Sequence, residues 1–281
     1  MVFRSPRAEQ RYAALVGAGD ALVVGLDFDG TLAPIVDDPE SAHIHPDASK
    51  VLVALAGQVR AVAVVTGRPA RQVLALGGLD EVGDAIGQEG RELFVLGQYG
   101  DERWSSLHRR VISPEPPRGL ASLTRELPRL LRDADAVGAW VEEKGLAVAV
   151  HTRRLADPDG AFDRLVPLLT ERAHGHHLEV EPGRRVIEIR AAGMDKGRAV
   201  RLLAKELQAR AFAFVGDDLG DLEAFKAVQG LGEAGLHTLT VCSASDEVTA
   251  LVEMADVVVD GPDGVLTLLR QLTTDIRAAR G

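Results

Sequence analysis

The chain carries one cysteine, Cys242, in 281 residues. A single thiol excludes an intrachain disulfide and any cysteine-built zinc cluster, and it fits a reducing compartment. No apolar run approaches the roughly 18–20 residues that a membrane span requires. The N-terminal stretch is interrupted by Glu9, Arg11 and Asp20, so it lacks the apolar core of a signal peptide. A cytoplasmic location is therefore expected. Positive charge is scarce too: Lys+Arg total 32 against 42 Asp+Glu, for a formal net charge of −10. That balance argues against a nucleic-acid partner and offers no basic patch to a membrane. Lysine is rarer still, at five of the 32 basic residues. Internal repeats and low-complexity segments are absent.

What remains is an ordinary globular composition, 46% hydrophobic and 26% charged. Continuous apolar runs at 21–26, 58–65 and 211–215 read as buried parallel strands, with shorter candidates at 238–242 and 256–259. Helical periodicity lies between them, at 49–56, 70–76, 196–208 and 219–228. Strands alternating with helices predict a doubly wound, mostly parallel, Rossmann-like α/β sheet. The middle of the chain differs. After Pro114, Pro116 and Pro117 come a helix at 118–131, a hairpin at 138–151, a helix at 161–173 and a second hairpin at 178–190. This pattern predicts an inserted α+β cap at residues 113–191, within a core made of 1–112 and 192–281.

The long core strands end in polar residues, where open α/β sheets bind ligands. In Asp27-Phe28-Asp29-Gly30-Thr31, period-2 alternation is expected to point both carboxylates the same way. Two acids so close favour a bound cation, and an all-oxygen donor set suits Mg²⁺. A calcium loop is the competing reading of Asp-x-Asp-Gly, but Leu32, Ala33 and Pro34 supply no further ligands. Thr66-Gly67-Arg68 reads as a phosphate clamp. Lys196 opens a helix, where exposed N–H groups already favour an anion. Asp217, Asp218 and Asp221 crowd one strand-to-helix turn, too many for capping alone. Together these groups suit phosphoryl transfer through an aspartyl-phosphate. Asp27 attacks phosphorus, Asp29 acts as acid and then base, and Lys196 neutralises phosphate oxygens. Asp27, Asp29, Asp217, Asp218 and Asp221 are the expected metal ligands.

This ordered set resembles the four motifs of the haloacid dehalogenase superfamily: Asp27 to Thr31, then Thr66, then Lys196, then Gly216-Asp217-Asp218. The long interval between Thr66 and Lys196 is similar to members with an α/β cap between the second and third motifs. Within the insert, Glu142-x-Lys144 followed by His151-x-Arg153 resembles trehalose-6-phosphate phosphatases. So does the hairpin from Glu181 through Glu188. The resemblance implies that Glu142, Lys144, His151, Arg153 and Glu188 bind a sugar phosphate, with Glu142, Lys144 and Glu188 on sugar hydroxyls. Read without it, Lys144 and a glutamate form a cross-strand ion pair on a solvated hairpin. Gly220 and Leu222 depart from the family pattern, and Glu89 stands where a histidine is common, near the expected phosphate pocket.

The expected partner is a small-molecule sugar phosphate, and the expected state is a monomer. Phosphatases of sucrose phosphate or mannosyl phosphoglycerate, and a sugar phosphomutase, remain open alternatives. A phosphorylated receiver domain would be far shorter than this chain.

Overall fold

A computed structural model describes residues 2–36, 38–244 and 249–281. It divides into two compact units, Met1–Ser113 with Asp195–Gly281, and Pro114–Met194. The first segment of the larger unit contains β1 (Val2–Phe3), α1 (Pro6–Ala18), β2 (Leu22–Leu26), α2 (Ala48–Ala56), β3 (Ala61–Val65), α3 (Ala70–Gly77), α4 (Leu79–Gln88), β4 (Leu93–Gly97) and β5 (Glu102–Ser105). The smaller unit contains α5 (Leu120–Asp133), β6 (Trp140–Glu143), β7 (Ala147–His151), α6 (Pro158–Gly175), β8 (Leu178–Gly183) and β9 (Val186–Ala191). The chain returns through α7 (Lys196–Glu206), β10 (Ala211–Gly216), α8 (Leu222–Glu233), β11 (His237–Ala244), α9 (Thr249–Met254), β12 (Val257–Asp260) and α10 (Gly261–Arg280).

The larger unit is built on an eight-stranded sheet in the order β1-β12-β11-β10-β2-β3-β4-β5. The six inner strands run parallel, and β1 and β5 close the edges antiparallel. This is the doubly wound sheet that the apolar runs predict. Strand β2 is buried along its whole length, as a strand covered on both faces must be. Alternation divides its side chains: Leu22, Val24 and Leu26 join one apolar layer with α2, α3, α4 and α10, while Val23 joins another with α7 and α8. Elements β1, α1, α4, β4, β5, α9 and α10 are additions to the sequence reading. Strand β4 is only five residues, Leu-Phe-Val-Leu-Gly, a run too short for periodicity to separate strand from helix.

The smaller unit is a four-stranded antiparallel sheet in the order β6-β7-β9-β8. Leu120, Leu123, Leu127 and Leu130 recur at helical spacing on α5, and with Leu165 and Leu169 of α6 they cover Val148, Val150, Ile187 and Ile189. Register places Glu142, Ala149, Glu188 and Glu181 in one row across the opposite face. One face is therefore apolar and packed, and the other carries the charges. Among the described residues, no helix is long and apolar enough to cross a membrane.

Candidate active site

The order of strand addition reverses between β2 and β10: β3 and β4 extend the sheet one way, β11 and β12 the other. Loops leaving such a switch point diverge and open a crevice at the strands' carboxyl ends. Asp27 follows β2, and its backbone N–H donates to the Val215 carbonyl at 2.9 Å, which brings it level with the end of β10. Asp217 follows β10 directly. Lys196 is the first residue of α7, behind the N-cap Asp195, whose side chain accepts from the Arg198 N–H at 2.8 Å. Lys196 Nζ lies 2.7 Å from Asp27 Oδ1 and 2.7 Å from Asp221 Oδ1. The other oxygen of Asp221 accepts from the N–H groups of Asp217, at 3.0 Å, and Asp218, at 3.3 Å. Asp221 thus folds the Gly216-to-Asp221 turn around itself while anchoring the lysine.

Carboxylate oxygens of Asp27, Asp217, Asp218 and Asp221 all lie within 4.8 Å of one another. Asp27, Asp217 and Asp221 are buried, whereas Asp218 is exposed. Burial, and then Asp221, push the Asp27 carboxyl well above its ordinary range, against the pull of Lys196. Burial followed by Asp218 and Asp221 pushes Asp217 up to about 8, and burial is also the main cause that lifts Asp221 to about 6. Burial opposes the charge on Lys196, but Asp221 and Asp27 outweigh it and hold the ammonium well above the ordinary lysine range. Among the described residues, one cation, Lys196, faces these four carboxylates. An all-oxygen set with this excess of negative charge fits a hard divalent cation.

Asp29 departs from expectation. Strand β2 ends at Leu26, and the backbone bends at Phe28 into a turn in which Leu32 and Ala33 donate to the Phe28 carbonyl. The bend breaks the two-residue period, so the Asp29 carboxylate lies outside the acidic group. It meets Arg68 in a two-pronged ion pair, with Nε at 2.6 Å and Nη2 at 2.7 Å. Arg68 Nη1 also donates to the Pro39 carbonyl at 2.8 Å. The guanidinium expected on phosphate is thus engaged with Asp29 and the backbone. Thr66 is buried at the end of β3, and its hydroxyl accepts from the Arg68 N–H across Gly67 at 3.1 Å. Glu89 has no place at this crevice. It ends α4, exposed and near Gly57, the residue that leads from α2 toward the opposite end of β3.

In the smaller unit, Lys144 Nζ meets Glu188 Oε2 at 2.6 Å, reaching across β7 to β9. Arg190 donates to the other oxygen of Glu188 at 3.2 Å and to Glu181 at 3.1 Å. His151 Nε2 lies 3.0 Å from Glu142 Oε2, and its ring stacks on Trp140 with centroids 4.4 Å apart. The structure therefore brings Glu142, Lys144, His151 and Glu188 onto one sheet face. Arg153 stands apart, exposed in the turn after β7. The ion pair anticipated for Lys144 does form, but Glu188 is only 5% exposed, so the pair is not a solvated one.

The trehalose-phosphatase family model matches residues 25–114 and 120–257, a span that holds every group just described. The chain belongs to the trehalose-phosphatase family. It is 33% identical over 232 residues to a trehalose-phosphate phosphatase of Mycolicibacterium paratuberculosis, covering 77% of this chain and 55% of that protein. It is 29% identical over 247 residues to trehalose-phosphate phosphatase B of Arabidopsis thaliana, covering 83% of this chain and 63% of that protein. It is also 35% identical over 240 residues to an uncharacterized glycosyl hydrolase of Mycobacterium tuberculosis, covering 81% of this chain but 17% of that one. The chain thus spans less than two thirds of the length of these relatives. In fold it is similar to the C-terminal domain of a Candida albicans trehalose-6-phosphate phosphatase, with a TM-score of 0.75 at 18% identity over 97% of this chain and 98% of that one.

Two features around this acidic crevice escape sequence reasoning. At the carboxyl end of β4, Gln98 and Tyr99 both adopt left-handed backbone, with φ of 47° and 61°. Their N–H groups donate to the Arg68 and Thr66 carbonyls, so this turn clasps the Thr66-Gly67-Arg68 loop. Non-glycine residues hold such angles only where surrounding bonds impose them. Ser243 is the second: its hydroxyl reaches the Asp27–Thr31 turn from the end of β11. None of these three residues carries a chemical signature in a single sequence. Each is identified by which strand ends the topology makes neighbours.

Proposed function

We propose that this chain hydrolyses trehalose 6-phosphate to trehalose and phosphate through an aspartyl-phosphate on Asp27. The observation that carries the reading is the buried Asp27–Lys196 pair inside a cluster of four carboxylates. Family membership supports it, as do the phosphatase names of the Mycolicibacterium and Arabidopsis relatives. Asp27, Asp217 and Asp218 would hold Mg²⁺, with Asp221 bracing the turn and the lysine. When bound, the cation neutralises charge on the phosphoryl oxygens and carboxylates. Lys196 and the first N–H groups of α7 orient the phosphate, and the Thr66 hydroxyl borders the same crevice.

Asp27 forms the new P–O bond as the sugar alkoxide leaves, and Asp29 supplies the proton that alkoxide needs. Water then attacks phosphorus, giving its proton to Asp29 and releasing Asp27 as carboxylate. Arg68 holds Asp29 in place, so proton transfer requires that pair to open. Glu142, Lys144, His151 and Glu188 provide the charged donors and acceptors that sugar hydroxyls take. Mg²⁺ as the cation, a monomeric state and a cytoplasmic site of action belong to the same proposal.

Phosphate release from trehalose 6-phosphate, sucrose phosphate, mannosyl phosphoglycerate and glucose 6-phosphate, with Mg²⁺ and with EDTA, tests it. The expected result is the highest kcat/KM on trehalose 6-phosphate, abolished by EDTA. Comparable rates on all four esters would remove the substrate assignment. Isomer formation with slow phosphate release would identify a mutase, and no release from any of them would end the phosphatase reading.

A further inference from the structure

The turn that carries Asp27 and Asp29 is gripped from two sides. Arg68 holds the Asp29 side chain, and Ser243 holds the next residue: its hydroxyl donates to the Gly30 carbonyl at 2.7 Å, with both residues buried. Register explains the reach. Gly216 of β10 pairs with Cys242 of β11, so Ser243 stands one residue further on, level with Asp217. Val241 lies on the sheet face that Leu26 and Phe28 pack against, and Ser243, two residues along the strand, takes that same face.

Gly30 is the tightest point of the turn. Its φ is 66°, and a Cβ there would overlap the Asp217 carboxylate. Gly30 and Asp217 are therefore in contact, and the position of one limits the other. A buried carbonyl without a donor is costly, so loss of the Ser243 hydroxyl would drive Gly30 to seek another partner. Any such movement alters the gap between the Asp27 and Asp217 carboxylates.

We infer that Ser243 is a positioning residue that sets the spacing of the Asp27 and Asp217 carboxylates by anchoring Gly30, and so tunes the affinity of that pair for a divalent cation. The inference rests on the phosphatase reading for its catalytic consequence, but not for its effect on cation binding. It assigns Ser243 no contact with substrate or cation. Groups that orient metal ligands in this indirect way typically change affinity or activity by about 10–100-fold when removed.

The test compares the full chain with Ser243→Ala, Ser243→Thr and Ser243→Cys. Mn²⁺ serves as the probe, its affinity read by calorimetry and by the EPR signal of the free ion. Ser243→Ala should weaken Mn²⁺ binding by about tenfold. It should lower kcat on trehalose 6-phosphate and on 4-nitrophenyl phosphate by similar factors, with KM little changed on either. Ser243→Thr keeps the hydroxyl and should recover most of both losses. Unchanged Mn²⁺ affinity in a folded Ala variant would overturn the inference, as would a Thr variant no better than Ala. If the Ala variant does not fold, the Cys variant takes its place, since a thiol is a weaker donor of similar shape. Failure of the phosphatase reading would show separately, as wild-type protein that binds Mn²⁺ yet releases no phosphate.

Discussion

Lys196 Nζ and Asp27 Oδ1 are 2.7 Å apart, with the two side chains only 5% and 6% exposed. Removing one partner of a buried ion pair leaves the other uncompensated, which costs about 3–5 kcal/mol. Lys196→Met leaves Asp27 and Asp221 facing each other without a cation. It should lower stability in urea by that order when measured in EDTA, and should abolish phosphate release. Full stability in EDTA would mean that the lysine does not neutralise this cluster.

Asp27→Asn has the opposite structural effect, because it removes a charge that burial and Asp221 already disfavour, while Lys196 keeps Asp221 as its partner. The melting temperature in EDTA should be equal to or above that of the wild type. Phosphate release should fall by roughly a thousandfold or more if Asp27 is the nucleophile. Persistent turnover would contradict the mechanism.

Protons and a metal should compete for the cluster. Folded-state values of about 8 for Asp217 and about 6 for Asp221 lie above the ordinary carboxylate value of about 4. Without metal, these two groups bind more protons folded than unfolded. Their contribution is fully present below about pH 4 and is lost as pH rises through 6 and 8. A cation bound at Asp217 replaces the proton there, and its charge beside Asp221 disfavours protonation of that group. The rise in melting temperature on adding Mg²⁺ should therefore be larger at pH 8 than at pH 6. Scanning fluorimetry across that range checks it, and a constant difference would argue against a metal beside these carboxylates.

Gly30→Ala should be among the most damaging single-methyl additions in the chain. It combines a left-handed φ with overlap on Asp217. Phosphate release should fall by at least an order of magnitude, in line with loss of site geometry. Near-normal activity would show that the turn tolerates a shift.

On the smaller unit, Lys144→Ala should separate sugar recognition from chemistry. Its kcat/KM on trehalose 6-phosphate should drop by about 10–100-fold, the scale of one or two charged hydrogen bonds. Hydrolysis of 4-nitrophenyl phosphate should change little. Equal losses on both would mean that Lys144 supports the fold through Glu188 rather than reading the sugar.

Much of the sheet and of the acidic site was legible because local pattern and topology agree. Residues 21–26 and 211–215 are apolar runs followed by acids, at once by Asp27 and after Gly216 by Asp217, and the β2–β10 pairing brings those acids together. Asp29 was not legible. Its direction depends on a bend at Phe28 and on Arg68, 39 residues away in sequence, and neither is a periodic signal. Ser243 was hidden for the same reason: a lone serine near the end of a short strand, His-Thr-Leu-Thr-Val-Cys-Ser-Ala, means nothing until that strand is known to flank β10. On the smaller unit, Glu142, Lys144 and Glu188 could be expected on one face from alternation. Arg190 and Trp140, which complete the network, look in sequence like ordinary strand residues.

The pairing of β2 with β10 also constrains how the protein is made. One side of β2 finds its neighbour soon, in β3, but the other waits until residues 211–216 have been synthesised. Until then a wholly apolar strand presents a free edge, the kind of template on which chains aggregate. The smaller unit is complete, with its own apolar layer, before β10 exists. Nascent chains thus pass through an interval in which the first acid of the site stands beside an open edge, with Lys196, Asp217 and Asp221 still to come.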